Sequence, residues 1–130
     1  VELEDQRLAE VVVAARSYEQ ALAEGDTVAA ADWFAREDPV TRFGPDGFQH
    51  GADEVRAKRL STAKMDVATW LHEEVRWLGP SAALHLALLH RGGAEIQRSQ
   101  VWLQGPEGWR LCHAHVSRRS ISHDGVDGEA

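Results

Sequence analysis

Six hydrogen-bonding side chains, Arg98, Ser99, Gln100, His113, His115 and Ser117, fall in two alternating runs at residues 95–103 and 109–117. The turn Gly105-Pro106-Glu107-Gly108 joins the runs. Alternation punctuated by a Gly/Pro turn predicts a long β-hairpin. Such a polar load in the middle of a sheet predicts a pocket built against the hairpin. His113, His115 and Ser117 share one parity, so they are expected on one face. An imidazole there could bind or move a proton near neutral pH; a hydrogen-bonded structural histidine is the alternative. Two more candidates stand upstream. Tyr18 lies on an apolar helical stripe, so its hydroxyl needs an internal partner, either a core carbonyl or a ligand in a cavity. Arg42 emerges from Val40-Thr41-Arg42-Phe43 beside Gly44 and is either a surface charge or an anion clamp. A guanidinium suits the second role because it can give a carboxylate two parallel hydrogen bonds.

The elements that must hold these groups follow from periodicity. Leu8, Val11, Val12, Ala15, Tyr18 and Leu22 keep the three–four spacing of a buried helical face, which predicts a helix over 3–24 stopped by Gly25. Asp26 is placed to cap a second helix over 27–35. Residues 40–43 read as a short strand, and 51–63 as a third helix with acidic residues first and Lys58 and Arg59 later. Four strands then run over 67–77, 82–90, 95–103 and 109–117. Helices first and strands after them predict an α+β domain over 1–119, the helices packed on one face of an antiparallel sheet. The tail from 120 to 130 is poor in apolar residues and is expected to be disordered.

At 130 residues the chain is the size of one domain. Its net charge of -7 argues against nucleic acid as a partner. Arginine outnumbers lysine twelve to two, so positive charge is in the form that grips carboxylates bidentately, although base composition is the plainer cause. Cys112 is the one cysteine, which excludes an internal disulfide, and its mid-strand place predicts an inert thiol. No apolar run spans a membrane and no leader pattern opens the chain, so a cytoplasmic location is the expectation. Neither metal nor other cofactor is expected, because no two-histidine-plus-carboxylate spacing stands out. Trp70, Trp77 and Trp102 on sheet strands exceed what one small core needs, and a homodimer through the sheet is expected, with a place in the core the rival for any single one of them.

Several segments carry a resemblance. They are Ser17-Tyr18-Glu19-Gln20-Ala21-Leu22, Thr41-Arg42-Phe43-Gly44, and Gly51 with Asp53-Glu54-Val55-Arg56-Ala57 and Arg59. Ser99-Gln100-Val101-Trp102, Gly108-Trp109-Arg110-Leu111 and Ala114-His115-Val116-Ser117 complete the set. Over residues 5–118 the chain resembles the cone-shaped nuclear transport factor 2-like (SnoaL-like) fold, and within it the AtzH-like group. It departs from that group's pattern at residues 45–50, at Lys58 and at Thr62.

The resemblance implies a cofactor-free site for a small carboxylated urea or related anionic acid, with decarboxylating amide hydrolysis as one outcome. By motif, Tyr18 and Arg42 match the tyrosine and arginine of the group's site. His115 is added as a third catalytic candidate, with Arg59, Arg98, Ser99 and Ser117 as substrate-binding candidates. The group is associated with amidases, so an amidase partner is a further expectation. The rivals are an accessory module without chemistry of its own and a cone-fold isomerase or dehydratase acting on a ring.

Overall fold

The computed structural model describes residues 2–121. Helix α1 (Glu2–Glu24) leads into α2 (Thr27–Asp32), a hairpin of β1 (Thr41–Gly44) and β2 (Gly47–His50), and α3 (Ala52–Leu60). Strands β3 (Thr69–Gly79), β4 (Ala82–Arg91), β5 (Ala94–Gly105) and β6 (Gly108–Ser120) follow as an antiparallel meander. One sheet of six strands results, in the order β2-β1-β6-β5-β4-β3, with β1 parallel to β6. The curved sheet stays open and α1 lies across its inner face, which is the expected α+β cone.

Local chemistry sets most boundaries. Gly25 adopts φ +73, a left-handed conformation that ends α1 without the strain a side chain would bring. Asp26 caps α2, its Oδ1 accepting from the Ala29 amide at 3.1 Å. The second helix ends at Asp32 rather than residue 35, because sheet pairing takes over the backbone. Ala35 N donates to Leu111 O and Leu111 N donates to Trp33 O, both at 2.8 Å. Strand β2 was not expected: residues 47–50 carry little apolar pattern, and pairing with β1 orders them. Ser120 closes β6; the expected tail beyond residue 121 lies outside the described residues.

The core sits between α1 and the concave face. Val11, Ala14, Ala15, Tyr18, Ala21 and Leu22 pack against Trp102, Trp109, Leu111 and Ala114. Alanines along the helix face let α1 approach the sheet closely, so close packing supplies much of the contact. Charged groups rivet the helix at its sides: Arg16 pairs with Glu73 at 2.6 Å, and Trp109 Nε1 donates to Glu10 at 3.2 Å.

Trp70, Trp77 and Trp102, expected on an outer dimer face, all turn inward. Trp102 is fully buried, and Trp70 and Trp77 pack against core clusters. The outer face instead carries Leu84, Leu86 and Leu88 from β4 and Val101 from β5, all half-buried, with Leu103 and Phe43 exposed. Cys112 is half-buried, and desolvation raises its thiol pKa, in keeping with an inert thiol. Among the described residues no helix is long and apolar enough to cross a membrane.

Candidate functional site

Strand β5 alternates strictly. Ile96, Arg98, Gln100 and Trp102 turn inward and are buried, while Gln97, Ser99, Val101 and Leu103 face out. Arg98 and Gln100 are therefore delivered to the cone by the parity that buries Ile96 and Trp102. On β1, Arg42 is likewise inward and 5% exposed, set beside Ala114 of β6. Helix α1 brings Tyr18 and Glu19, and α3 brings Arg59, which is 2% exposed.

These groups enclose a small cavity of about 40 Å³ whose lining includes Tyr18, Arg42, Arg59, Arg91, Arg98 and Gln100. It opens toward a vestibule of about 390 Å³ through shared walls at Arg42, Met65, Arg91 and Val116. Lys64, Asp66 and Arg118 stand around the vestibule. The inner chamber suits one polar group of a ligand, with the remainder of the molecule in the vestibule.

Partners are distributed unevenly among the four arginines. Glu19, buried on α1, accepts from Arg98 Nη1 at 2.8 Å and also binds Arg91 Nη1. Arg42 Nη1 donates to Gln49 Oε1 at 2.9 Å and to Asp46 Oδ1 at 3.2 Å. Gly44 permits this fold-back: a Cβ there would lie 2.7 Å from Asp46 Oδ1 and 2.9 Å from Arg42 Nη2. Burial alone would raise the Asp46 pKa, but the Lys58 and Arg42 contacts outweigh it and hold the carboxyl below its usual range. Asp46 is thus ionised at neutral pH and screens Arg42. Among the described residues Arg59 has no carboxylate partner. Its Nη1 donates to the Tyr18 hydroxyl at 3.2 Å, and its Nε and Nη2 are buried without partners among the described residues. Arg98 Nε and Nη2 and Gln100 Nε2 are unpartnered too. Buried guanidinium edges without acceptors are costly, and Arg59, Arg98 and Gln100 bring theirs to one chamber.

The AtzH-like family model matches residues 3–121. The chain belongs to the AtzH-like family. Among solved structures, this AtzH-like chain is similar to a protein of unknown function from Pectobacterium atrosepticum, with 29% identity and a TM-score of 0.79 over 88% of this chain and 92% of that one. A cystatin-like fold protein from Burkholderia xenovorans matches at 25% identity and TM-score 0.80, over 90% of this chain and 95% of the other. A nuclear transport factor 2-like superfamily protein from Salmonella enterica, at 17% identity and TM-score 0.70 over 98% and 99% of the two chains, shares the fold. No functionally curated protein matches.

The structure of this AtzH-like protein divides the candidates named from sequence. Tyr18, Arg42, Arg59 and Arg98 meet at one chamber. His115, Ser99 and Ser117 do not. Ser99 pairs directly with His115 across β5 and β6, and both face away from the cone, as does Ser117 opposite Gln97. His115 is exposed, its ring edge-on to Phe43 at 5.6 Å. The cause is a β-bulge. Trp102 pairs with Leu111 but Val101 pairs with His113, which makes Cys112 the extra residue. Trp109 and Leu111 point inward before the bulge, and Ala114 and Val116 after it. A one-residue slip reverses the facing of every later side chain. His113, His115 and Ser117 would face the cone on an unbroken strand; the bulge turns them out.

Four further polar groups at or beside the chamber were not among the candidates taken from sequence: Glu19, Arg91, His85 and Glu73. His85 lies opposite Gln100 across the sheet and is backed by Glu73. Parity offered a signal for Gln100, which alternates with Trp102. Nothing in the sequence paired Glu19 with Arg91 and Arg98, some seventy residues away.

Proposed function

We propose that this AtzH-like protein binds a small carboxylate-bearing molecule in its cone and hydrolyses it there, the substrate being a carboxylated urea or a related amide. The observation that supports this most is Arg59, a buried cation whose single partner among the described residues is the Tyr18 hydroxyl. A carboxylate entering the chamber would meet the free edges of Arg59 and Arg98 and the screened guanidinium of Arg42. Because Arg59 donates to the Tyr18 oxygen, the phenolic proton is left to point at the ligand. An oriented phenol beside a guanidinium is a suitable donor to the oxyanion that forms when water adds to an amide carbonyl. Burial of these groups strengthens each of the contacts. An isomerase acting on an apolar ring fits less well, since four arginines line the chamber beside Leu22, Met65, Ala114 and Val116.

Release of ammonia and carbon dioxide from a panel of small carboxylated ureas tests the reading. Tyr18→Phe is expected to lower kcat by about tenfold or more with KM little changed, as loss of a transition-state hydrogen bond does. Arg42→Ala is expected chiefly to raise KM, about tenfold. Absence of turnover across the panel by folded wild-type protein would reject hydrolysis.

We also propose that two copies pair through the outer sheet face, where Leu84, Leu86, Leu88 and Val101 form a contiguous apolar band. Leu86→Glu should halve the mass seen in sedimentation equilibrium without loss of secondary structure. A wild-type protein that sediments as a monomer would refute the pairing.

A further inference from the structure

His85 is fully buried on the inner face of β4 and sits opposite Gln100 of β5. Its Nε2 lies 2.7 Å from Glu73 Oε2. Burial would raise the Glu73 pKa, but hydrogen bonds with Arg16 and His85 bring it below the ordinary carboxylate value, so Glu73 is ionised. An ionised carboxylate only accepts. Nε2 must therefore carry the proton, and Nδ1 keeps its lone pair. That Nδ1 is buried and has no partner among the described residues.

Gln100 presents the complementary case. Its Oε1 accepts from Trp102 Nε1 at 3.1 Å, which fixes the amide, and its Nε2 is buried without an acceptor. A directly opposed pair on one sheet face has Cβ atoms about 5 Å apart. One residue of the pair thus holds an unused acceptor and the other an unused donor, and Gln100 also lines the inner chamber. A single water bridging the two would satisfy both.

We propose that His85 and Gln100 hold the hydrolytic water and that His85 is its general base, with Glu73 as the positioning residue behind it. This rests on the hydrolysis reading above. As the water oxygen bonds to the substrate carbonyl carbon, one water proton passes to His85 Nδ1. The carbonyl π pair moves to oxygen, facing Tyr18. When the carbonyl re-forms, the C–N bond breaks and its electron pair takes the proton back from His85, which releases ammonia. One water is consumed, and nothing is oxidised or reduced. Glu73 stabilises the transient imidazolium, as a carboxylate behind an imidazole does. Charged groups facing His85 are Glu73 from β3, Arg98 from β5 and Arg16 from α1. Burial, with Arg98 and Arg16, outweighs the opposing pull of Glu73 and keeps the His85 pKa below the ordinary histidine value. The imidazole is therefore neutral, and able to accept a proton, at pH 7.

Ring ¹⁵N NMR of the wild-type protein at pH 7 gives the first test, with Glu73→Gln used to assign His85. The expected result is a neutral ring protonated at Nε2, whose Nδ1 resonance moves when oxamate is added. A ring protonated at Nδ1, or a resonance that oxamate leaves unmoved, overturns the proposal whether or not turnover is found. Kinetics give the second test. His85→Gln should lower kcat about a hundredfold and abolish the acid limb of the pH–kcat profile. Glu73→Gln should lower kcat about tenfold and move that limb to lower pH, because Glu73 raises the His85 pKa. Reduced stability with a wild-type pH profile in both variants would show a structural role and reject the base. If the wild-type protein turns over no substrate, hydrolysis itself fails, and the proposed base fails with it.

Discussion

Glu19→Ala is expected to destabilise the protein by about 3–5 kcal/mol, the usual cost of removing one partner from a buried ion pair. Glu19 is the shared acceptor of Arg91 and Arg98, and the side chains of Glu19 and Arg98 are 6% and 3% exposed. Without it, two guanidinium groups stand near each other with no carboxylate between them. Repulsion and lost hydrogen bonds then add to the desolvation already incurred. Urea unfolding should show the loss as a lower midpoint at unchanged slope. A small dicarboxylate such as malonate should recover part of it, since an anion in the chamber can take over as acceptor. A loss below about 1 kcal/mol would mean that solvent reaches these arginines freely, as it does at a surface ion pair.

The second large effect has opposite signs in the empty and the occupied protein. Arg59→Met should leave the empty protein as stable as wild type or more stable, because it replaces a buried cation lacking a carboxylate with an apolar side chain of similar length. The same change should weaken anion binding by about 2–5 kcal/mol, the range for truncating one member of a buried charge pair. That is a loss of roughly thirty- to several-thousandfold in affinity. Thermal unfolding with and without oxamate reads both effects in one experiment. The expected pattern is an equal or higher Tm for the variant alone and no further rise on adding ligand. A variant that loses stability yet binds normally would show Arg59 to be structural, its contact with Tyr18 serving the core.

How much of this site was legible before folding depends on the residue. Tyr18 was recognisable because the stripe Val11, Ala15, Tyr18 and Leu22 buries it whatever the sheet does. Arg42 could not be assigned by alternation alone, since a residue in a short run can face either way; pairing of β1 with β6 directs it inward. Of the two arginines on α3, Arg59 was a substrate-binding candidate and Arg56 was not. The packing of that helix buries Arg59 against Tyr18 and leaves Arg56 to pair with Asp32 at 2.9 Å. The tryptophans failed as markers of an outer face because a large ring is a core filler before it is an interface residue, and each has the inward parity of its strand.

The sequence by itself determined the order of elements apart from β2, the α+β class, the caps at Gly25 and Asp26 and the AtzH-like segments, all of which depend on neighbours within a few positions. Tertiary structure alone decided which polar groups share a chamber. The extra residue at Cys112 is the clearest case. It moves His115 and Ser117 from the expected wall to the outer face, and nothing in the local alternation announces it, because the bulge exists only relative to β5. The same holds for Glu19 with its two arginines and for Glu73, His85 and Gln100. Each group is an ordinary polar residue along the chain, and its chemistry arises when distant strands bring an acceptor, a donor and a charge together out of water.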